Sequence, residues 1–251
     1  MRRNLKITLA YDGSEFFGWQ VQPGRPTVQA ELGAALERVA GCRELPQGSG
    51  RTDAGVHALG QVASVAIESP IPVANLVIAL NDVLPVSIRV LKVETARASF
   101  HARRSAKKKT YRYRIWRKAI CPPFLARYVT HHPWPLDVAA MQRAAKLVAG
   151  RHDFTSFAAV DPEKRRAGET RSNVRTIYSS RFRREGDELI YEVRGNGFLH
   201  HMVRNLVGTF LLVGKGTLRP ADVRAILKKK SRSAAGATAP AQGLYLVGVE
   251  Y

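Results

Sequence analysis

Cysteine is scarce in this sequence, with only Cys42 and Cys121 in a chain of 251 residues. They lie far apart and form no C-x-x-C, so they read as ordinary reduced thiols rather than a disulfide framework or a zinc cluster. Other metal signatures are missing too. There is no H-E-x-x-H, and no H-x-E paired with P-C-x-x-C, which excludes a zinc deaminase. The stretch "GSGRTDAG" (48–55) lacks the lysine of a phosphate-cradling G-x-x-x-x-G-K-[ST] loop. No run approaches the ~20 apolar residues that a spanning helix needs. The opening "MRRNLKITLAYDGSEF" is basic but has no sustained apolar stretch, so no signal peptide is expected. These absences lead to the expectation of a cytoplasmic protein with no membrane role.

Acid is the other shortage. Twenty Asp and Glu stand against forty Lys and Arg, a formal charge of +20. A solvated basic surface would account for some of this. An excess so large favours a polyanionic partner, nucleic acid ahead of an anionic membrane surface.

What is present reads as mixed α and β. The run "LKITLAY" (5–11) alternates apolar and polar residues, as a half-buried strand does. "TVQAELGAALERV" (27–39) sets Val28, Leu32, Leu36 and Val39 on one helical face, with Thr27 as N-cap. A strand at 60–67, a helix at 72–84 and a strand at 87–94 complete a first half. The second half opens near 107–117 with a strand and continues with a helix at 137–149 and strands at 174–184 and 188–194. "FLHHMVRNLVGTFLLVG" (198–214) follows as a helix with Leu199, Met202, Val203, Leu206, Phe210 and Val213 on one face. A short helix at 220–230 and a last strand at 243–251 finish the chain. The element order gives two similar α+β halves, residues 1–105 and 106–251, whose sheets join edge to edge. The turn-rich stretches 161–173 and 231–241 are the expected mobile segments.

Three stretches carry candidate chemistry. In "GSGRTDAGVHALG" (48–60) a single carboxylate, Asp53, sits among four glycines. Local chemistry alone favours an Asx-type turn there. The functional alternative is that the glycines let a bulky substrate approach the backbone closely, leaving Asp53 as the reactive group. Arg51, two residues away, would then help hold the carboxylate ionised for nucleophilic work. In "KKKTYRYRI" (107–115) lysines suit a phosphate backbone and a tyrosine face suits a base, at ~1–3 kcal/mol for such stacking. An edge strand with Tyr111 and Tyr113 facing the core explains the same pattern. In "HHMVRN" (200–205), His200 and His201 are adjacent on a predicted helix and would diverge by about a quarter turn. That favours packing or RNA contact over metal ligation, and Arg204 would lie on the polar side of the helix.

Taken together, "YDGSEFFGWQ" (11–20), "GSGRTDAGVHALGQV" (48–62), "KKKTYRYRI", "HDFTSFAAV" (152–160), "GNGFLHHMVRNLVG" (195–208) and "GLYLVGVEY" (243–251) resemble the tRNA pseudouridine synthase A family in order and over nearly the whole chain. The resemblance implies a pseudouridine synthase fold, α+β, with two halves sharing a continuous mixed or antiparallel sheet flanked by helices. It implies conversion of uridine to pseudouridine at positions 38, 39 and 40 of the tRNA anticodon stem-loop, without cofactor or metal, by a homodimer whose basic cleft holds the tRNA. By motif, Asp53 would be the catalytic aspartate and Arg51 would take the place of the flipped nucleotide. Tyr111 would stack on the uracil, Arg204 would pair with Asp53, and Leu246 would pack beneath the base. Residues 161–173 look longer and more charged than the family pattern, and the lysines at 107–109 more basic. A pseudouridine synthase for other RNA sites and an RNA-binding protein without chemistry are the competing readings. The second gives no reason for an aspartate where phosphate must bind.

Overall fold

A computed structural model of the chain describes residues 2–159 and 172–251. The charged segment 161–173 singled out above falls outside them, except for Ser172 and Asn173. The chain divides into two compact units, one running to Lys109 and adding Tyr245–Tyr251, the other Thr110–Leu244.

In the first unit, strand β1 (Arg2–Tyr11) runs between β3 (His57–Glu68) and β4 (Ile88–Ala96), antiparallel to both. Its inward side chains Leu5, Ile7 and Leu9 are fully buried, as the alternation in the sequence requires. The two-residue β2 (Gln47–Gly48) pairs with β3. On its other side β3 meets β10 (Leu244–Glu250) in parallel, Tyr245 opposite His57 and Leu246 opposite Ala58. The strand order is therefore β4-β1-β3-β10. Helix α1 (Val28–Ala40) begins where Thr27 accepts from the Ala30 amide and ends at Gly41, whose φ is 64°. Val28, Leu32 and Leu36 of α1 are sealed from solvent, as are Leu76 and Leu80 of α2 (Val73–Val83). Helix α1 packs on α2, and α2 packs on β4.

The second unit orders its strands β5 (Lys108–Trp116), β9 (Glu188–Gly195), β8 (Val174–Glu185) and β7 (Gly150–Asp153). The short β6 (Thr130–His131) adds to β5 in parallel. A tight turn at Gly186 joins β8 to β9 as an antiparallel hairpin. Among the described residues its helices are α3 (Pro123–Ala126), α4 (Val138–Lys146), α5 (Met202–Gly214) and α6 (Asp222–Lys229). Phe210 of α5 packs edge-on against Phe182 and Tyr191 of the hairpin, anchoring the helix in the core. All six apolar positions assigned to one face of 198–214 are buried. The α+β expectation holds within each unit.

The helix itself is shorter than that apolar pattern. It begins at Met202, and His201 before it takes a left-handed φ of 57°. His200 and His201 therefore do not diverge as helical neighbours would, and their ring centroids lie 3.9 Å apart. Residues 231–241, expected to be mobile, contain a short 3-10 turn (Arg232–Ala234), lead into another (Ala241–Gly243) and are tied down by hydrogen bonds. Among the described residues no helix is long and apolar enough to cross a membrane.

Candidate active site

The carboxylate-bearing loop lies in the first unit, between β2 and β3. Its glycines suggest a pliable segment, and the structure shows the reverse. On the entering side the Ser49 amide donates to Val62 O at 2.7 Å, and the Ser49 hydroxyl donates to Gln61 Oε1 at 2.7 Å. Gln61 Nε2 in turn donates to Gly50 O at 3.0 Å, and Lys109 Nζ to Ser49 O at 2.5 Å. The lysine run of β5 thus contributes a strut to the loop as well as charge.

At the centre Thr52 is buried, and its hydroxyl lies 2.8 Å from Tyr11 Oη. Burial pushes the Tyr11 phenol up to about 12, against smaller downward effects of Thr52 and Gln61, so it stays protonated through the neutral range. Thr52 O accepts from the Trp19 amide at 3.1 Å, and Phe16 O accepts from Gly55 at 3.3 Å. The segment 12–19 is laced against the loop in this way. Gly18 makes the approach possible, since its φ is 87° and any Cβ there would overlap Thr52 O. Asp53 O closes the turn by accepting from Val56 at 3.1 Å.

On the leaving side His57, 2% exposed, accepts at Nδ1 from the Gly13 amide at 3.0 Å and lies 3.2 Å from Asp12 Oδ1. Its ring stacks on Tyr245 of β10 at 4.8 Å. Within this frame Asp53 is half-buried, Arg51 is exposed and Leu246 is fully buried. The inward Thr52 separates Arg51 from Asp53.

The other two candidates lie in the second unit. Tyr111 and Tyr113 share the buried face of β5. Tyr111 meets Phe198 edge-on at 5.0 Å. The hydroxyl of Tyr113 bonds to Thr130 Oγ1 at 2.6 Å and donates to Pro240 O at 2.8 Å. Burial raises the Tyr113 phenol well above its ordinary value, opposed by its bond to Thr130 and by the positive charge of Arg204. The intervening arginines point to the opposite face and are paired, Arg112 with Glu192 at 3.4 Å and Arg114 with Glu188 at 2.5 Å. Arg204, in the first turn of α5, donates from Nε to Ala239 O at 2.7 Å.

Sequence reasoning named Asp53, Arg51, Tyr111, Arg204 and Leu246 but not the bracing set of Tyr11, Gln61, His57 and Lys109. Those four lie inside the quoted motifs. Their role depends on contacts between residues 11 to 60 apart in sequence, which local spacing does not report.

A loop that fixes one carboxylate, on a fold of two α+β units, agrees with the pseudouridine synthase class. The comparisons with known proteins identify the family. A family model described as tRNA pseudouridine synthase matches residues 7–104 and 144–251. A protein of Solibacter usitatus named tRNA pseudouridine synthase A is 51% identical over 249 residues, covering 99% of this chain and all of that one. Proteins of the same name from Moorella thermoacetica and Brevibacillus brevis are each 47% identical over 249 residues. They cover 98% and 99% of this chain, and 99% and 100% of their own lengths. A crystal structure of the archaeal box H/ACA sRNP Nop10-Cbf5 complex matches at a TM-score of 0.34 and 13% identity, over 82% of this chain and 44% of that chain, too low to carry an argument. The chain belongs to the tRNA pseudouridine synthase family.

Proposed function

We propose that this protein isomerises uridine to pseudouridine at positions 38, 39 and 40 of the tRNA anticodon stem-loop, with Asp53 as the reacting carboxylate. The observation that carries the reading is the immobilised loop. Main-chain and side-chain bonds brace both flanks of a half-buried aspartate in a chain of net charge +20. A carboxylate that merely closed a surface turn would need no such frame.

The isomerisation breaks the bond from uracil N1 to ribose C1′, turns the ring, and joins C5 to C1′. Atoms and electrons balance within the nucleotide, apart from a proton lost from C5 and one gained at N1. Asp53 acts by attack on C1′, by attack on C6, or by removing the C2′ proton, and each route uses its ionised form. The uridine must first leave its stack, at a cost of a few kcal/mol. Arg51, exposed beside the loop, fills the space the nucleotide leaves. Tyr111 stacks on the uracil and assists proton removal at C5, while Leu246 supports the base from beneath. Arg204 is a positively charged residue of the substrate-binding set. Residues 1–105 carry the nucleophile, and residues 106–251 carry the stacking tyrosine and the basic helix. The protein works in the cytoplasm as a homodimer, without cofactor.

Asp53→Asn tests the reading. Pseudouridine formation, followed by tritium release from C5 or by cyanoethylation, is abolished, while tRNA affinity stays within about an order of magnitude. Turnover near wild type in this variant overturns it.

A further inference from the structure

In the second unit, residues 231–240 run across helix α5 as a strap. The two meet backbone to backbone at Gly208 and Gly236. A Cβ at Gly208 would overlap Ala237 O, and one at Gly236 would come within 2.8 Å of the Gly208 carbonyl group. Such an approach needs a reason, and the polar groups on both sides of it supply one.

Asn205 is fully buried. Its Nδ2 donates to Phe157 O at 2.8 Å, and its Oδ1 accepts from Thr238 Oγ1 at 2.7 Å and Arg232 Nη2 at 3.0 Å. Arg232 Nη2 also donates to Thr238 Oγ1 at 3.1 Å. Both lone-pair directions of the amide oxygen are thereby used on the strap. The Thr209 hydroxyl donates to Asn205 O at 2.8 Å and accepts from the Gly236 amide at 2.9 Å. Tyr113 holds the far end of the strap through Pro240 O.

The residue between those anchors, Ala239, grips Arg204 twice. Its amide donates to Arg204 O at 3.2 Å, and its carbonyl accepts from Arg204 Nε at 2.7 Å. The second bond fixes the direction of the Nε–H and so restricts the guanidinium to turning about that bond. Ala239 is itself set by its neighbours Thr238 and Pro240. We infer that the strap is a positioning device for Arg204, and that Thr238, through its bond to Asn205, is the residue that sets the guanidinium's orientation. The inference rests on the reading of Arg204 as part of the catalytic site.

The test compares Thr238→Val, Thr238→Ser, Arg204→Ala and the double variant Thr238→Val/Arg204→Ala by single-turnover pseudouridine formation and by tRNA affinity. Thr238→Val keeps the shape and removes the hydroxyl. It lowers the single-turnover rate about tenfold with tRNA affinity nearly unchanged, the scale of loss expected for a displaced catalytic group. Thr238→Ser restores the rate to within about threefold. In the Arg204→Ala background, Thr238→Val costs nothing further, because the group it positions is gone. A purely structural Thr238 would lower stability in both backgrounds and leave the rate of the folded protein alone. Should Thr238→Val fail to fold, Thr238→Ala removes the same hydroxyl without added bulk and carries the same expectations. A wild-type rate in the threonine variant beside a slow Arg204→Ala overturns the strap inference alone, as does an equal loss in both backgrounds. A wild-type rate in Arg204→Ala overturns the reading of Arg204, and the strap inference with it.

Discussion

At Gly18 the backbone turns through a φ of 87° with Thr52 O lying where a side chain would begin. Alanine there meets two penalties at once, a left-handed conformation and an overlap with a main-chain oxygen that is itself hydrogen-bonded to Trp19. Gly18→Ala is expected to cost about 1–3 kcal/mol and to lower turnover more than tRNA affinity, since the segment it displaces braces the Asp53 loop. Thermal melts and single-turnover rates check this. Tyr11→Phe makes a finer test of the same brace. It strips the hydroxyl that meets Thr52 Oγ1 and Gln61 Nε2 inside the core. The expected loss is about 1–3 kcal/mol, because a buried partner is left unsatisfied. A variant as stable and as active as wild type would show that the brace is dispensable.

Among the elements, the hairpin of β8 and β9 carries a charge network on one face. Glu192 receives Arg181 at 3.0 Å and Arg112 at 3.4 Å. Burial pushes its carboxyl up, but the two arginines outweigh burial and bring it below the ordinary value. A carboxyl depressed in the folded state stabilises above its unfolded pKa and loses that contribution as pH falls through the folded one. Wild-type stability should therefore decline below about pH 4.3, partly through this group. Glu192→Gln should be less stable near neutrality and show a shallower acid limb in urea melts at several pH values. Most elements were legible in the sequence because their apolar periods match their final burial, as with Leu5, Ile7 and Leu9 on β1 or Val28, Leu32 and Leu36 on α1. The exceptions lie where the local pattern does not report the outcome. The two residues of β2 exist as a strand only because β3 is there to pair with them. His201 leaves the helical path although the apolar pattern around it continues. The strap at 231–240 looks like linker by composition and is ordered by Asn205, Thr209 and Tyr113, all distant in sequence. Asp53 and its motif were legible, whereas the frame that immobilises it was not.

For the molecule as a whole, a charge of +20 makes the encounter with tRNA a matter of displaced counterions. Raising salt from about 50 mM to about 200 mM should weaken tRNA affinity by at least about tenfold. The rate at saturating tRNA should change little, because the Asp53 loop is held by short-range bonds. Filter binding and single-turnover kinetics over the same salt series separate the two. Size-exclusion chromatography with light scattering tests the proposed homodimer, and a monomer mass at working concentration would refute that part of the reading.

The pairing of β10 with β3 also bears on how the molecule is born. Tyr245–Tyr251 are made after residues 110–244, so the first unit still lacks one strand until synthesis has passed the whole of the second. The missing strand is the neighbour of His57 and Ala58, and His57 also secures the segment that laces the Asp53 loop. The growing chain thus carries every candidate site residue but Leu246 before β10 is there to pair with β3. A chain cut short before Tyr245 would keep the basic charge but lose the strand that pairs with His57 and Ala58.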